Sequence, residues 1–210
     1  MHPPRDFSYY SRGINIDISN KCILQCPSCE RQLNRHMVDK ASDITLDNYQ
    51  KIIDVFPTVI MCGQISDPIY HSKFLELLKE SKNLTHLIVC TNGSGKKRDW
   101  WREAFEIGIK NNNTTWEFAL DGLPDESHIY RINQDGKEVW EVMKMGKEMG
   151  ATISWQYIPF LYNENHIDEA EQMAIEHDID FIVKISGRHP AGMRPSKKEL
   201  RIDKIKTEMR

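Results

Sequence analysis

The chain has 210 residues, 40% of them hydrophobic and 28% charged, with a formal net charge of −3. A domain of that length can bury most of its surface in one core, and so small a net charge excludes a global attraction to nucleic acid or anionic membrane. No segment approaches the roughly 18 apolar residues of a membrane-spanning helix, and the N-terminal MHPPRDFSYYSRG lacks the apolar run of a signal peptide. The expected setting is therefore a reducing cytoplasm, with the five cysteines free or metal-bound.

GINIDIS (13–19) alternates apolar and polar residues and reads as a strand. A cysteine-bearing loop follows. TLDNYQKIIDVF (45–56) has helical spacing with Thr45 as N-cap, and TVIMCG (58–63) is a short β-rich run stopped by glycine. HSKFLELLKES (71–81) is an amphipathic helix and THLIVCTNG (85–93) a strand closed by a turn signal. The rhythm continues through a helix at 96–110, a strand at 114–122, a helix at 136–150 with Gly150 at its C-terminal cap, a strand at 151–160, a helix at 167–178 and a last strand at 180–186.

Six strands alternating with helices predict an α/β fold with a parallel sheet. The pattern fits an open doubly wound sheet or an incomplete barrel, and in both the ligand lies at the carboxyl ends of the strands. Four unusual segments fall on that rim: the cysteine loop, GQISDP (63–68), TNGS (91–94) and DGLPDESH (121–128). The GSGKK run is not a phosphate loop, because Cys90 and Lys97 occupy the positions that require Gly and Ser/Thr.

NKCILQCPSCER (20–31) places Cys22, Cys26 and Cys29 within eight positions. Three thiolates on one loop can hold three corners of an iron–sulfur cubane, which normally takes four. Zinc would need a fourth ligand, and the nearest histidine is His36. A redox pair in CPSC would leave Cys22 without a role. Cys62 and Cys90, at the ends of the second and third strands, read as small buried hydrophobes.

The spacing C-x3-C-x2-C directly after the first strand of a βα-repeat chain resembles the radical S-adenosylmethionine (radical SAM) superfamily, and most of all the core of its SPASM group, whose members carry an added cysteine-rich C-terminal domain. The resemblance runs strand by strand along essentially the whole chain. It implies an incomplete (β/α)6 barrel and a [4Fe–4S] cluster on Cys22, Cys26 and Cys29, with the amino and carboxylate groups of SAM filling the open iron. It implies an enzyme in which reductive cleavage of SAM yields a 5′-deoxyadenosyl radical that takes hydrogen from a substrate. That substrate is a peptide or protein by preference, or a small molecule, and a flavodoxin or ferredoxin is the implied electron donor.

The same resemblance assigns site residues. Gly63, Gln64 and Asp67 would receive the SAM amino group, although Gln64 stands where the family has a second glycine; without the resemblance, Asp67-Pro68 is a helix-capping turn. Thr91 and Asn92 would line the SAM site or the substrate mouth. Asp121 would reach ribose hydroxyls or substrate, Arg131 would pair with the SAM carboxylate, and Gln156 would face the ribose. Asn163 would contact substrate or loop backbone, and Val183 and Lys184 would lie beside adenine. His128 reads as a capping or packing residue. Ala119 and Ser28 depart from a serine and an aromatic residue that the family favours.

The expected organisation is an N-terminal extension (1–12), the core (13–187) and a basic C-terminal extension (188–210). In that last segment eight Lys/Arg stand against three Asp/Glu, which suits a solvated extension or the start of a further segment, with contact to nucleic acid or an acidic peptide as the alternative. Two readings from other classes stay open: an iron–sulfur electron carrier or sensor that does not use SAM, and a zinc-stabilised binding module.

Overall fold

The structure, a computed structural model, describes residues 13–202. The expected N-terminal extension lies outside the described residues. In chain order the elements are β1 (Gly13–Asn15), the short helices α1 (Glu30–Leu33) and α2 (Arg35–Lys40), α3 (Leu46–Ile53), β2 (Thr58–Met61), α4 (Phe74–Glu80), β3 (His86–Thr91), α5 (Arg98–Asn111), β4 (Thr114–Ala119), α6 (Gly136–Glu148), β5 (Thr152–Tyr157), α7 (Ile167–Glu176) and β6 (Asp180–Val183). All six strands join one parallel sheet in the order β1-β2-β3-β4-β5-β6. Among the described residues the sheet does not close, and the architecture is the incomplete (β/α)6 barrel that the resemblance implies.

Local chemistry explains where the elements stop. Thr45 caps α3 by accepting from Asn48 N at 3.2 Å, and Asp135 caps α6 by accepting from Glu138 N at 3.1 Å. Gly150 follows the C-cap of α6 with φ +94°, where Gly150 N bonds Lys147 O and Ala151 N bonds Gly146 O. That paired closure is the Schellman motif, and it favours glycine at the left-handed position. The strands are shorter than their apolar runs. β1 leaves the sheet after Asn15, with one further bond from Ile16 N to Ile60 O, and Asp17 then turns to the loop after β2. β5 stops at Tyr157 because Ile158 N bonds the Asp121 carboxylate instead. Helix α4 starts three residues later than expected, behind a 3-10 turn over Pro68–Tyr70. Helices α1 and α2 were not expected at all.

The sheet's two faces differ. Val59, Met61, Leu87, Val89, Trp116, Phe118, Ile153, Trp155 and Tyr157 point to the helices and form one buried apolar cluster with Phe74 and Leu77 of α4, Trp101 and Phe105 of α5, and Met143 of α6. Trp101 packs on Phe105, Trp116 and Phe118 with ring centroids 5.2–5.7 Å apart. Burying each such side chain contributes roughly 1.5–3 kcal/mol. The other face is polar: Cys90 stands opposite Glu117, and the Lys184 ammonium reaches Glu117 at 2.9 Å and Gln156 at 2.6 Å. This inner face opens into the site.

The described part of the basic segment keeps most of its side chains exposed but is anchored to the core. Leu161 N bonds Met193 O at 2.9 Å, and buried Glu164 accepts from Ser196 N at 2.6 Å, from Lys197 N at 3.3 Å and from the Ser196 hydroxyl. The carboxylate fastens residues 196 and 197. Among the described residues, no helix is long and apolar enough to cross a membrane.

Candidate active site at the carboxyl ends of the strands

One pocket on the rim is lined by Cys22, Cys26 and Cys29 together with Gly63, Gln64, Asp67, Thr91, Asn92, Arg131 and Gln156. Of the residues singled out from sequence, Asp121, His128, Asn163, Val183 and Lys184 do not line it. The cysteine loop is held open by its neighbours rather than by regular structure. Gln25 N bonds Ile132 O at 3.1 Å, and Asn133 Nδ2 bonds Ile23 O at 3.2 Å. Arg31 donates to Asn20 O and, at 3.0 Å, to Ile65 O, which ties the cysteine loop to the loop after β2. Cys26 is buried against Leu24, Tyr130 and Phe160, the last two with ring centroids 4.2 Å apart.

The loop after β2 turns on Gly63. A Cβ there would meet Ser66 O at 2.2 Å and Asp17 Oδ1 at 2.7 Å, so no other residue fits without moving backbone. Asp17 organises this turn, accepting from Gln64 N at 2.9 Å, Ile65 N at 3.4 Å and Ser66 Oγ at 2.8 Å. Asp17 and Arg31 are positioning residues that sequence reading missed. In the sequence Asp17 is one polar position of an alternating strand, and no local pattern marks a side chain that acts 47 residues away.

Asp67 does cap the 3-10 turn, through Ile69 N at 3.2 Å, but it also accepts from Thr91 Oγ1 at 2.9 Å and from Asn92 N and Nδ2, both at 2.6 Å. Burial nevertheless raises its carboxyl to about 6. Asn92, fixed in this way, points Nδ2 at Cys22 Sγ, 3.6 Å away. Gln134 supports the same segment, donating to Asn92 O at 2.7 Å and Ala119 O at 3.0 Å. Arg131 Nε lies 2.7 Å from Asp121 Oδ2, and Asp121 is fully buried with its other oxygen on Ile158 N at 2.9 Å. Burial opposes the charge on both; Asp121 still holds the Arg131 guanidinium above its ordinary value, while the Asp121 carboxyl is raised.

The other expected positions separate. Asn163 is buried in a turn, accepting from Phe160 N at 2.6 Å and donating to Ile158 O at 3.2 Å. His128 is exposed, as is Val183. Lys184 lies on the inner face beside Glu117. Cys62 and Cys90 are half-buried pocket residues and not the buried hydrophobes that were expected.

The donor set bears on what the site can hold. Three soft thiols line one pocket, yet among the described residues no three His, Cys, Asp or Glu side chains converge on a single-ion site. A cluster in which each thiolate takes its own iron corner suits that spacing; a tetrahedral zinc does not. Burial raises the Cys22 thiol to about 12 and the Cys26 thiol to about 11, so a bound cation is what would draw off their protons.

No protein-family profile matches this chain, and no characterised protein matches it in sequence. Solved structures do match. SuiB of Streptococcus suis superposes with a TM-score of 0.69 at 17% identity, over 89% of this chain and 42% of its own. The form bound to S-adenosylmethionine gives 0.65 at 19% identity, over 82% and 40%. Native anSMEcpe with bound AdoMet gives 0.60 at 16% identity, over 83% and 52%. These neighbours are radical SAM enzymes, and the fold of this chain is the radical SAM partial barrel. The chain spans about two fifths to one half of their length.

Proposed function

We propose that this chain is the core of a radical SAM enzyme, with Cys22, Cys26 and Cys29 holding a [4Fe–4S] cluster beside a SAM site. The observation that carries the reading is the convergence of the three-cysteine loop with the Gly63–Asp67 and Thr91–Asn92 segments on one pocket at the carboxyl end of an open six-stranded barrel. When bound, the cluster and SAM together supply an electron and the 5′-deoxyadenosyl radical that removes hydrogen from a substrate.

The chain's own residues divide the remaining work. Gly63 and Gln64 present the backbone at close range to the SAM amino group, in a turn that Asp17 holds. Asp67 acts through Asn92, whose position it sets, and Thr91 completes that anchor. Arg131 offers the SAM carboxylate N–H groups beyond the Nε that faces Asp121; Asp121 orients it. Gln156, held by Lys184, forms the inner wall. The apolar collar of Leu24, Tyr130 and Phe160 around Cys26 excludes water from the loop.

The core comprises residues 13–187, with 188–210 as a basic extension, and works in the cytoplasm with a flavodoxin or ferredoxin as electron donor. A peptide or protein substrate is favoured because a SuiB structure contains its precursor peptide SuiA and an anSMEcpe structure contains a peptide beside AdoMet. The test is anaerobic reconstitution, reduction with dithionite, addition of SAM and chromatography. 5′-Deoxyadenosine is the expected product, and its absence from protein with a verified cluster overturns the reading in favour of an electron carrier.

A further inference from the structure

The inner face carries two thiols that the proposed chemistry does not use. Cys62 and Cys90 directly follow the paired positions Met61 and Val89 on adjacent parallel strands. Continued register places their Cα atoms about 4.8 Å apart, inside the roughly 4.4–6.8 Å that a disulfide spans. The Cys90 thiol donates to Glu117 Oε2 at 3.6 Å, and its side chain lies beside that of Cys62. The Lys184 ammonium faces both sulfurs from beyond β6, with Glu117 on β4 and Asp17 after β1 as the negative groups nearby. Both cysteines line the open pocket and are only partly buried.

From this geometry we infer that Cys62 and Cys90 form a redox-active dithiol which exchanges with low-molecular-weight disulfides. Cys62 is the attacking thiol and Cys90 the resolving one. The Cys62 thiolate attacks one sulfur of the incoming disulfide, forms a mixed disulfide and expels one thiolate. Cys90 passes its proton to Glu117, attacks the Cys62 sulfur and expels the second thiolate. The two cysteines lose two electrons and the small disulfide gains them, becoming two thiols. The division of roles follows the surroundings: the neighbouring Cys90 thiol, aided by Lys184, lowers the Cys62 thiol to about 7, while Cys90, which donates to Glu117, is raised. An attacking thiol with a pKa near ambient pH is close to the optimum for exchange. The bridge would tie together the strand ends that carry Gly63 and Asn92, and so set the pocket wall by redox state.

The test uses the reconstituted full chain in anaerobic glutathione buffers of increasing disulfide content, quenched in acid, alkylated and mapped by mass spectrometry. A Cys62–Cys90 linked peptide is expected to become the major species while iron content stays unchanged. In Cys90→Ser, a stable glutathione adduct should collect on Cys62. In Cys62→Ser, Cys90 should stay free. Iodoacetamide at pH 7 should label Cys62 on the order of tenfold faster than an unperturbed thiol, and Lys184→Met should lose much of that advantage. No bridge at any buffer ratio, a bridge from either residue to Cys22, Cys26 or Cys29, or equal adduct formation in the two serine variants overturns the inference. Iron content reports separately on the cluster, so failure here is distinct from failure of the radical SAM reading.

Discussion

Two apolar clusters hold this molecule together, and they are built from different kinds of chain. The large one draws its members from β2–β5 and α3–α7, where strand alternation and helical spacing aim side chains into one interior. The small one joins Leu24, Cys26, Tyr130 and Phe160, all from loops, with Met193 of the C-terminal segment against it. Periodicity builds the first, whereas the second exists only because the first brings six strand ends to one rim. The scaffold therefore tolerates local loss at the site, and the site does not tolerate loss of the scaffold's registration.

The largest effect belongs to the scaffold. Trp101→Ala empties the centre of the aromatic group on α5 and should lower stability by about 3–5 kcal/mol, read by urea unfolding. Iron bound per folded molecule should not change. The reverse pattern, iron lost at constant stability, would break the distinction between the clusters. Cys26→Ala should give that reverse pattern, losing the iron and its colour, whereas Cys62→Ala keeps both.

The ion pair beneath the small cluster tests whether charge or packing holds the rim. Arg131→Met leaves the fully buried Asp121 without its partner and should cost about 3–5 kcal/mol. Adding Asp121→Asn removes the stranded charge and should recover much of that loss, which a double-mutant cycle measures. Additive losses would mean that the pair matters through shape alone.

Asp67 gives a prediction in pH. Its carboxyl titrates near 6 when folded and near 3.9 when unfolded, so between those values the folded chain holds more protons. Stability from this group is full below about pH 4, falls as pH rises through 6, and is level above. The span is about 3 kcal/mol. Measured from pH 4 to 7, the unfolding free energy of wild type should fall by about that amount relative to Asp67→Asn. A constant offset would show that Asp67 is ionised throughout.

Much of the fold was legible because its signals are local. Thr45, Asp135 and Gly150 announce helix ends through their own backbone chemistry, and β-branched runs announce the strands. The cysteine spacing was legible for the same reason. What could not be read were contacts between distant loops: Asp17 on the Gly63 turn, Arg31 on Ile65, and Gln134 on Asn92. Asp67 shows the limit well. Its sequence context is that of a capping residue, and it does cap, but three of its hydrogen-bond donors come from Thr91 and Asn92. Helices α1 and α2, of four and six residues with no buried side chain, had no apolar stripe to reveal them.

The smallest expected effect concerns the C-terminal segment, which composition alone marked as solvated. Glu164 converts that basic stretch into a docked one by accepting two backbone N–H groups and a hydroxyl. Glu164→Gln removes the charge and replaces one acceptor with a donor, at a cost of about 1–2 kcal/mol for the docking. The segment then opens more often while the core stays closed. Trypsin cleavage after Lys197 and Lys198 should accelerate on the order of tenfold, since about 1.4 kcal/mol is a factor of ten, with the urea midpoint nearly unmoved. If the midpoint falls in step with cleavage, the segment belongs to the cooperative core, and the boundary between scaffold and rim lies further out than the two clusters indicate.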